Sequence, residues 1–282
     1  MISGKARLAG VIGWPVAHSL SPRLHNHWME RAGVDGVYVP LAIGPDMLAD
    51  AVRLLPRIGF RGFNVTLPHK TAMFGLVDRV DATAERMRAV NTVLVDDEGR
   101  TVGHNTDGYG FLANLREHAP DWRPDGGPAV ILGTGGAARA VVSALIDAGQ
   151  GALRLVNRTR GRAEALAAEI AGWSDAEITV ADWEGRAGVL EGAGLCVQCS
   201  SLGMEGQPAL DIDLAALPPA APVADLVYVP LETRLLRAAR ERGNPVVDGL
   251  GMLIHQAVPG FRHWGGAEPV IDGTVRRLML AG

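Results

Sequence analysis

Three apolar residues that run into a glycine cluster constrain this chain more than any other feature: Val130-Ile131-Leu132-Gly133-Thr134-Gly135-Gly136-Ala137-Ala138. The pattern reads as a strand, a tight turn and a helix start. Gly133 permits the turn, Gly135 keeps a Cβ out of a ligand's path, and Ala138 lets the helix pack on the strand. The helix start offers unpaired N–H groups and the positive dipole end, which suits a dinucleotide pyrophosphate. With 36 glycines in 282 residues, an ordinary strand–helix turn gives the same letters. A second strand, Leu153-Arg154-Leu155-Val156, follows one helix later and completes a βαβ unit at the expected spacing.

The end of that second strand selects among cofactors. A site for NAD usually carries Asp or Glu there, bound to the ribose 2′-hydroxyl. This chain has Asn157-Arg158-Thr159 and then Arg162. No carboxylate repels a 2′-phosphate, and a guanidinium fork matches phosphate oxygens. The expected cofactor is therefore NADP; the alternative is a solvated pair of arginines at a helix start.

Composition narrows the function classes. Hydrophobic residues make up 48% of the chain, enough for a core in one large or two modest domains. The net charge of −4 and the lack of a basic or aromatic-interleaved patch argue against nucleic acid. No apolar stretch approaches the roughly 18 residues of a membrane span, and no signal-peptide pattern opens the sequence, so the expected location is the cytoplasm. Cys196 and Cys199 form a C-x-x-C within what reads as a buried strand. Residues three apart on a strand point to opposite faces, so core thiols are expected, with no disulfide and no metal.

Strands and helices alternate in both halves, which predicts an α/β protein with mainly parallel sheets. Ser21 is expected to cap a helix that has Pro22 at its first position and runs to about Ala32. Pro45 to about Leu55 reads as helical, and 90–95 with 101–103 as a hairpin. Val223 to Tyr228 reads as a strand, Leu250 to about Trp264 as one helix, and Gly273 to Leu280 as another.

In the first half, Ser19, Ser21, Asn64, Thr66, Asn91, Thr92, Asn105 and Thr106 all fall at or after predicted strand ends. Ligands of open parallel sheets bind outside those ends. Among these short polar residues stand one lysine, Lys70, and one aspartate, Asp107. A Lys–Asp pair can hold an ammonium beside a hydroxyl or alkoxide and pass a proton. Read singly, each residue also has an ordinary role as a turn, cap or surface residue.

Taken in order, these pieces resemble the shikimate dehydrogenase family over essentially the full length. They are His18-Ser19-Leu20-Ser21-Pro22 with His25-Asn26, Asn64-Val65-Thr66-Leu67-Pro68-His69-Lys70, Ala89-Val90-Asn91-Thr92 and Asn105-Thr106-Asp107-Gly108. The glycine turn, Asn157-Arg158-Thr159, Tyr228 and Asp248-Gly249-Leu250-Gly251-Met252-Leu253 with Gln256 follow. The resemblance implies reversible NADPH-dependent reduction of 3-dehydroshikimate to shikimate, in aromatic amino-acid biosynthesis. It implies Lys70 and Asp107 as the catalytic pair. Ser19, Ser21 and Tyr228 would meet the substrate carboxylate, and Thr66, Asn91, Asp107 and Gln256 the ring hydroxyls. Gly133, Thr134, Gly135, Gly136, Ala137, Asn157, Arg158, Thr159, Arg162, Leu226, Gly249 and Met252 would surround the cofactor; no metal is implied. The implied architecture is a substrate domain of residues 1–106 and 249–282, with a mixed, mainly parallel sheet. A Rossmann-like NADP-binding domain of residues 107–248 is inserted in it, with a cleft between the two. Family members are monomers or homodimers.

Two places depart from the family pattern: Gln198-Cys199-Ser200-Ser201 stands where Asn-Ala-Thr-Ser is usual, and Thr134 replaces the commoner Ala in the glycine turn. Two alternatives remain. One is a relative acting on quinate or on both acids, with NAD as cofactor; such relatives tend to have Thr in place of Ser21 and an acidic residue near Asn157, and this chain has neither. The other is a catalytically silent NADP sensor, against which Lys70 and Asp107 argue.

Overall fold

The computed structural model describes residues 2–281. The chain forms two compact units, Met1–Thr106 with Gln256–Gly282, and Asp107–His255.

The first unit contains β1 (Arg7–Gly13), α1 (Ser21–Arg31), β2 (Gly36–Ala42), α2 (Leu48–Arg57), β3 (Phe60–Val65), α3 (Lys70–Phe74), β4 (Arg79–Val80), α4 (Ala82–Met87), β5 (Thr92–Val95) and β6 (Thr101–His104). The second contains α5 (Asp107–His118), β7 (Ala129–Leu132), α6 (Gly136–Asp147), β8 (Ala152–Val156), α7 (Arg160–Ala171), β9 (Glu177–Ala181), β10 (Leu195–Gln198), β11 (Val223–Asp225), α8 (Arg234–Glu241), β12 (Val246–Val247) and α9 (Gly249–His255). The chain then returns to the first unit with α10 (Val258–Gly265) and α11 (Gly273–Leu280). Among the described residues no helix is long and apolar enough to cross a membrane.

The first sheet has the order β2-β1-β3-β5-β6-β4. β1 pairs in parallel with β2 and β3, whereas the hairpin β5–β6 brings antiparallel pairing, including that of β5 with β3. The sheet is therefore mixed, as expected. On one face Ile12, Phe63, Val65 and Val93 pack with Leu48, Val52 and Leu55 of α2. Val39 and Leu41 of β2 lean on that cluster, so alternation turns Tyr38 to the opposite face. There Tyr38 meets a ring cluster: His25 stacks on it at 4.2 Å, and Trp28, Phe261 and Trp264 surround His25 at 5.4–6.0 Å.

The second sheet, β12-β11-β10-β7-β8-β9, is parallel throughout. Its order reverses direction at β7, and such switch points open a crevice at the carboxyl ends of the strands. Both faces are covered. Ile131, Leu155, Val197 and Ala224 join one apolar cluster, while Val130, Val156, Cys196 and Val223 join another. Cys199 packs against the first cluster and Cys196 lies in the second, so the two thiols occupy opposite faces as the strand reading requires. Both are free, and burial pushes the Cys196 thiol up to about 12.

Several expectations need correction. Ser21 does not cap α1; it lies inside the helix, after Leu20, and no side chain caps that end. The helix expected at Pro45 opens as a 3-10 turn, Pro45–Met47, before α2 begins. The strand expected through Tyr228 stops at Asp225, whose carboxylate accepts from the Val227 N–H at 3.0 Å and bends the chain. The single C-terminal helix is two, α9 and α10, separated at Gln256-Ala257. α9 packs on α5, where Asn114 Nδ2 donates to the Asp248 carbonyl at 2.7 Å. Residues 249–255 therefore group with the second unit, and the return crossing falls at 255/256 instead of 248/249.

Candidate active site

In the first unit, the polar residues expected at strand ends converge. Asn64 is the penultimate residue of β3, Asn91 directly precedes β5, Thr92 opens it, and Thr106 follows β6. All four are at most 5% exposed. The Tyr38 hydroxyl donates to Asn64 Oδ1 at 2.6 Å, and Asn64 Nδ2 donates to Thr92 Oγ1 at 3.0 Å. Asn91 Oδ1 accepts from the Thr106 N–H at 2.9 Å and from the Thr92 hydroxyl at 3.0 Å. Thr106 Oγ1 lies 3.5 Å from Gln256 Oε1, which brings the C-terminal return to the same cluster. Burial pushes the Tyr38 phenol well above its ordinary value, against smaller opposing contributions from the Ser21 side chain and Asn64.

Lys70 opens α3 directly after a turn in which the His69 N–H donates to the Thr66 carbonyl at 3.0 Å. His69 is buried, and its Nε2 donates to the Ile43 carbonyl at 2.8 Å, so that histidine fixes the turn. The Lys70 carbonyl accepts from the Val90 N–H at 2.9 Å, tying the lysine backbone to the residue before Asn91. Thr66 hydrogen-bonds through its N–H to the Ile12 carbonyl at 2.9 Å. Ser19 Oγ accepts from the Ser21 N–H at 3.3 Å. Asn26 and Asn105 serve the backbone instead: Asn26 bonds the Tyr38 N–H and carbonyl, and Asn105 bonds the Ala89 carbonyl.

In the second unit, the glycine turn follows β7 as expected. Gly133 has φ +98°, and a Cβ there would lie 2.9 Å from the Ser200 nitrogen, so only glycine fits without strain. A Cβ on Gly135 or Gly136 would meet no atom of the chain within 4 Å. Thr134 is buried, and its Oγ1 finds no hydrogen-bond partner among the described residues. An open glycine cradle at the N-terminus of a 12-residue helix, beside an unsatisfied buried hydroxyl, fits a dinucleotide phosphate. Ala138 is fully buried against the sheet.

Asn157 follows β8 and accepts from the Thr134 N–H at 3.3 Å, locking the two strand ends together. Its Nδ2 donates to the Thr159 carbonyl at 2.9 Å. The nearby arginines divide into two groups. Arg139 pairs with Glu169, and Arg160 bridges Glu164 and Asp182. Arg158 and Arg162 are exposed and engage no carboxylate among the described residues. Exposure without carboxylate partners fits a phosphate-binding pair and a solvated pair alike.

Leu226 follows β11, and its N–H donates to the Gln198 carbonyl at 3.0 Å. Gly249 is needed for close approach, because a Cβ there would lie 2.3 Å from the Leu226 oxygen. Met252 packs on the core beside Leu226. The departure at Gln198–Ser201 has a structural account. Gln198 is fully buried; its Oε1 accepts from the Ser200 N–H at 3.0 Å and its Nε2 donates to the Leu202 carbonyl at 2.8 Å. That side chain holds the loop after β10. Tyr228 is exposed, just past the bend set by Asp225. Lys70 thus belongs to the first unit, while Asp107 and Tyr228 belong to the second.

Two residues, Tyr38 and Asp225, escaped the sequence reading, and His25 entered it only within the pair His25-Asn26. Tyr38 is legible only as a polar-tipped ring between Val37 and Val39 on an otherwise apolar strand. His25 is buried with no hydrogen-bond partner at either ring nitrogen among the described residues, and burial lowers its pKa to about 3. Asp225 also accepts from the Thr233 hydroxyl at 2.7 Å, and burial raises its pKa to about 6.

The chain is similar to known proteins over its full length. Residues 11–93 match the shikimate dehydrogenase substrate binding domain. The shikimate dehydrogenase (NADP(+)) of Paramagnetospirillum magneticum is 56% identical, over 99% of this chain and 100% of its own. Among solved structures, shikimate 5-dehydrogenase from Thermus thermophilus, in complex with NADP(H) and shikimate, is 38% identical. It superposes with a TM-score of 0.81 over 98% of this chain and 99% of that one. Quinate dehydrogenase from Corynebacterium glutamicum, in complex with NAD, is 35% identical with a TM-score of 0.88, over 98% and 99%. With this identity sustained from end to end, the chain belongs to the shikimate dehydrogenase family.

Proposed function

We propose that this chain is an NADP-dependent oxidoreductase that reversibly reduces 3-dehydroshikimate to shikimate. The observation that carries the reading is the full-length 56% identity to an NADP-dependent member of the family. The site chemistry supports it. A substrate with one carboxylate and several hydroxyls needs short hydroxyl and amide side chains at fixed positions, and the first unit supplies them at its strand ends.

Bound NADPH supplies the hydride to the ring carbonyl. The chain's own residues hold the substrate and manage the proton. Lys70, fixed by the Thr66–His69 turn, gives its ammonium proton to the oxygen that becomes the alcohol and takes it back in the reverse direction. Asp107 orients that ammonium and accepts from a ring hydroxyl. Thr66, Asn91 and Gln256 bind the ring hydroxyls; Ser19, Ser21 and Tyr228 bind the carboxylate. Because Ser21 caps no helix end, its hydroxyl is not committed to one.

On the cofactor side, Gly133, Thr134, Gly135, Gly136 and Ala137 hold the pyrophosphate at the start of α6. Asn157 and Thr159 shape the ribose end, and Arg158 and Arg162 pair with the 2′-phosphate. Leu226, Gly249 and Met252 complete the shell around the nicotinamide end. We further place the protein in the cytoplasm, as a monomer or homodimer, with residues 1–106 and the C-terminal return binding substrate.

The test follows NADP and NAD reduction at 340 nm, with shikimate and quinate offered separately. Turnover with shikimate and NADP, and little with the other pairs, is expected. Comparable turnover with quinate or NAD would place the chain with the quinate-active relatives. No turnover with any pair would overturn the enzymatic reading.

A further inference from the structure

The buried polar cluster of the first unit has a direction that can be read from groups whose roles are fixed. A backbone N–H only donates, so the side-chain atom of Asn91 at 2.9 Å from the Thr106 nitrogen is the amide oxygen. A backbone carbonyl only accepts, so the atom of Asn64 that faces the Asn91 carbonyl at 3.3 Å is the amide nitrogen. Asn64 Oδ1 then takes the Tyr38 proton at 2.6 Å, and Asn64 Nδ2 donates to Thr92 Oγ1 at 3.0 Å. The Thr92 hydroxyl has one proton, and its remaining neighbours are Asn91 Oδ1 at 3.0 Å and Thr106 Oγ1 at 3.2 Å. Either way Thr92 carries the polarity from Asn64 into the Asn91–Thr106 pair.

We infer that Thr92 is a positioning residue. It holds the Asn91 amide with its oxygen turned inward, so that Asn91 meets the substrate as a hydrogen-bond donor through Nδ2. The inference rests on the proposed function in one respect, that Asn91 meets the substrate. It specifies the chemistry of that contact: the partner atom on the substrate is an acceptor, and a ring hydroxyl bound there directs its own proton elsewhere. Thr92 is 1% exposed and reaches no ligand itself. An unsatisfied amide in such a buried cluster is costly, which makes the orientation rigid.

The experiment compares wild type, Thr92→Val, Thr92→Ser and Asn91→Asp by initial rates with shikimate and NADP, alongside thermal denaturation. Valine keeps the shape and removes the hydroxyl, so the shikimate KM is expected to rise about tenfold or more while the NADP KM stays within about twofold. Serine restores the hydroxyl and is expected within about threefold of wild type. Asn91→Asp keeps the inward acceptor and turns the outward donor into an acceptor, so its shikimate KM is expected to rise at least about tenfold in a folded protein. An unchanged KM in the valine variant, or a serine variant as impaired as valine, would overturn the inference. If the valine variant fails to fold, the other two decide: wild-type affinity in Asn91→Asp places the oxygen outward and overturns it. A wild type that does not turn over shikimate defeats the proposed function itself, which none of the variant outcomes does.

Discussion

The two units solve opposite recognition problems. In the first, the polar residues are buried and bonded to one another: Asn64, Asn91, Thr92 and Thr106 are committed before any ligand arrives. In the second, the residues proposed to bind the cofactor stand outside the core: Gly135, Gly136, Arg158 and Arg162 are exposed, with open space over the glycines. A small polyhydroxy acid has one charge and is recognised mainly through its uncharged hydroxyls, so those contacts must be set in advance and kept dry. A polyanion attracts strongly, so backbone N–H groups and flexible guanidinium groups suffice.

The contrast extends to acid and base. His25 in the first unit has its pKa lowered to about 3 by burial among aromatic rings. The unfolded chain binds that proton near pH 6.5, so this stability is complete above 6.5 and lost as pH falls toward 3. The loss is on the order of 5 kcal/mol at the acid limit. Hydrogen exchange of first-unit peptides, corrected for intrinsic rate, is expected to accelerate between pH 6.5 and 4, and His25→Phe to flatten that dependence. An identical slope in the variant would remove His25 as the cause.

Next in size, Lys70→Ala is expected to lower kcat about a thousandfold, with a smaller change in either KM. Full turnover in that variant would end the assignment of Lys70 as the proton donor.

Asp225 in the second unit has the opposite sign. Its pKa is raised from 3.8 to about 6, so its contribution is complete below 3.8 and is lost as pH rises through 6. The carboxylate costs about 3 kcal/mol at neutral pH. Asp225→Asn is expected to gain stability in urea denaturation at pH 8 but not at pH 4. A variant less stable at both values would show that the bonds to Val227 and Thr233 outweigh the burial cost.

The smallest effect concerns the exposed arginines. Arg158→Ala is expected to raise the NADP KM about tenfold and leave the shikimate KM unchanged. Equal changes in both would detach Arg158 from the 2′-phosphate.

Much of the second unit was legible because its signals are local. The glycine turn, the strand after it and the residues at that strand's end lie within thirty positions of one another. The hairpin and α11 were legible for the same reason. What was hidden depends on partners far away in sequence. Tyr38 and Asn64 are 26 residues apart and meet only because β1 pairs with both β2 and β3. The grouping of α9 with the second unit needs Asn114 on α5, which meets Asp248 from 134 positions away. At Ser21 the capping residue type was present, but the helix begins one residue earlier than that reading requires.

The return of the chain to the first unit also sets an order of assembly on the ribosome. The Trp28 indole donates to the Val270 carbonyl, 242 residues downstream, and Trp264 completes the ring cluster around His25. The first hundred residues therefore emerge with an unfinished core and wait while residues 107–255 are made. At about 5–20 residues per second that interval is on the order of ten seconds or more. The second unit can fold during the wait, and in doing so it draws its own ends together, since His255 Nε2 meets Glu117 at 2.6 Å. The long loop is thereby shortened before the final helices appear, which lowers the entropy cost of their docking. During that interval the apolar surface that α10 and α11 will cover on the nascent first half stays open to water.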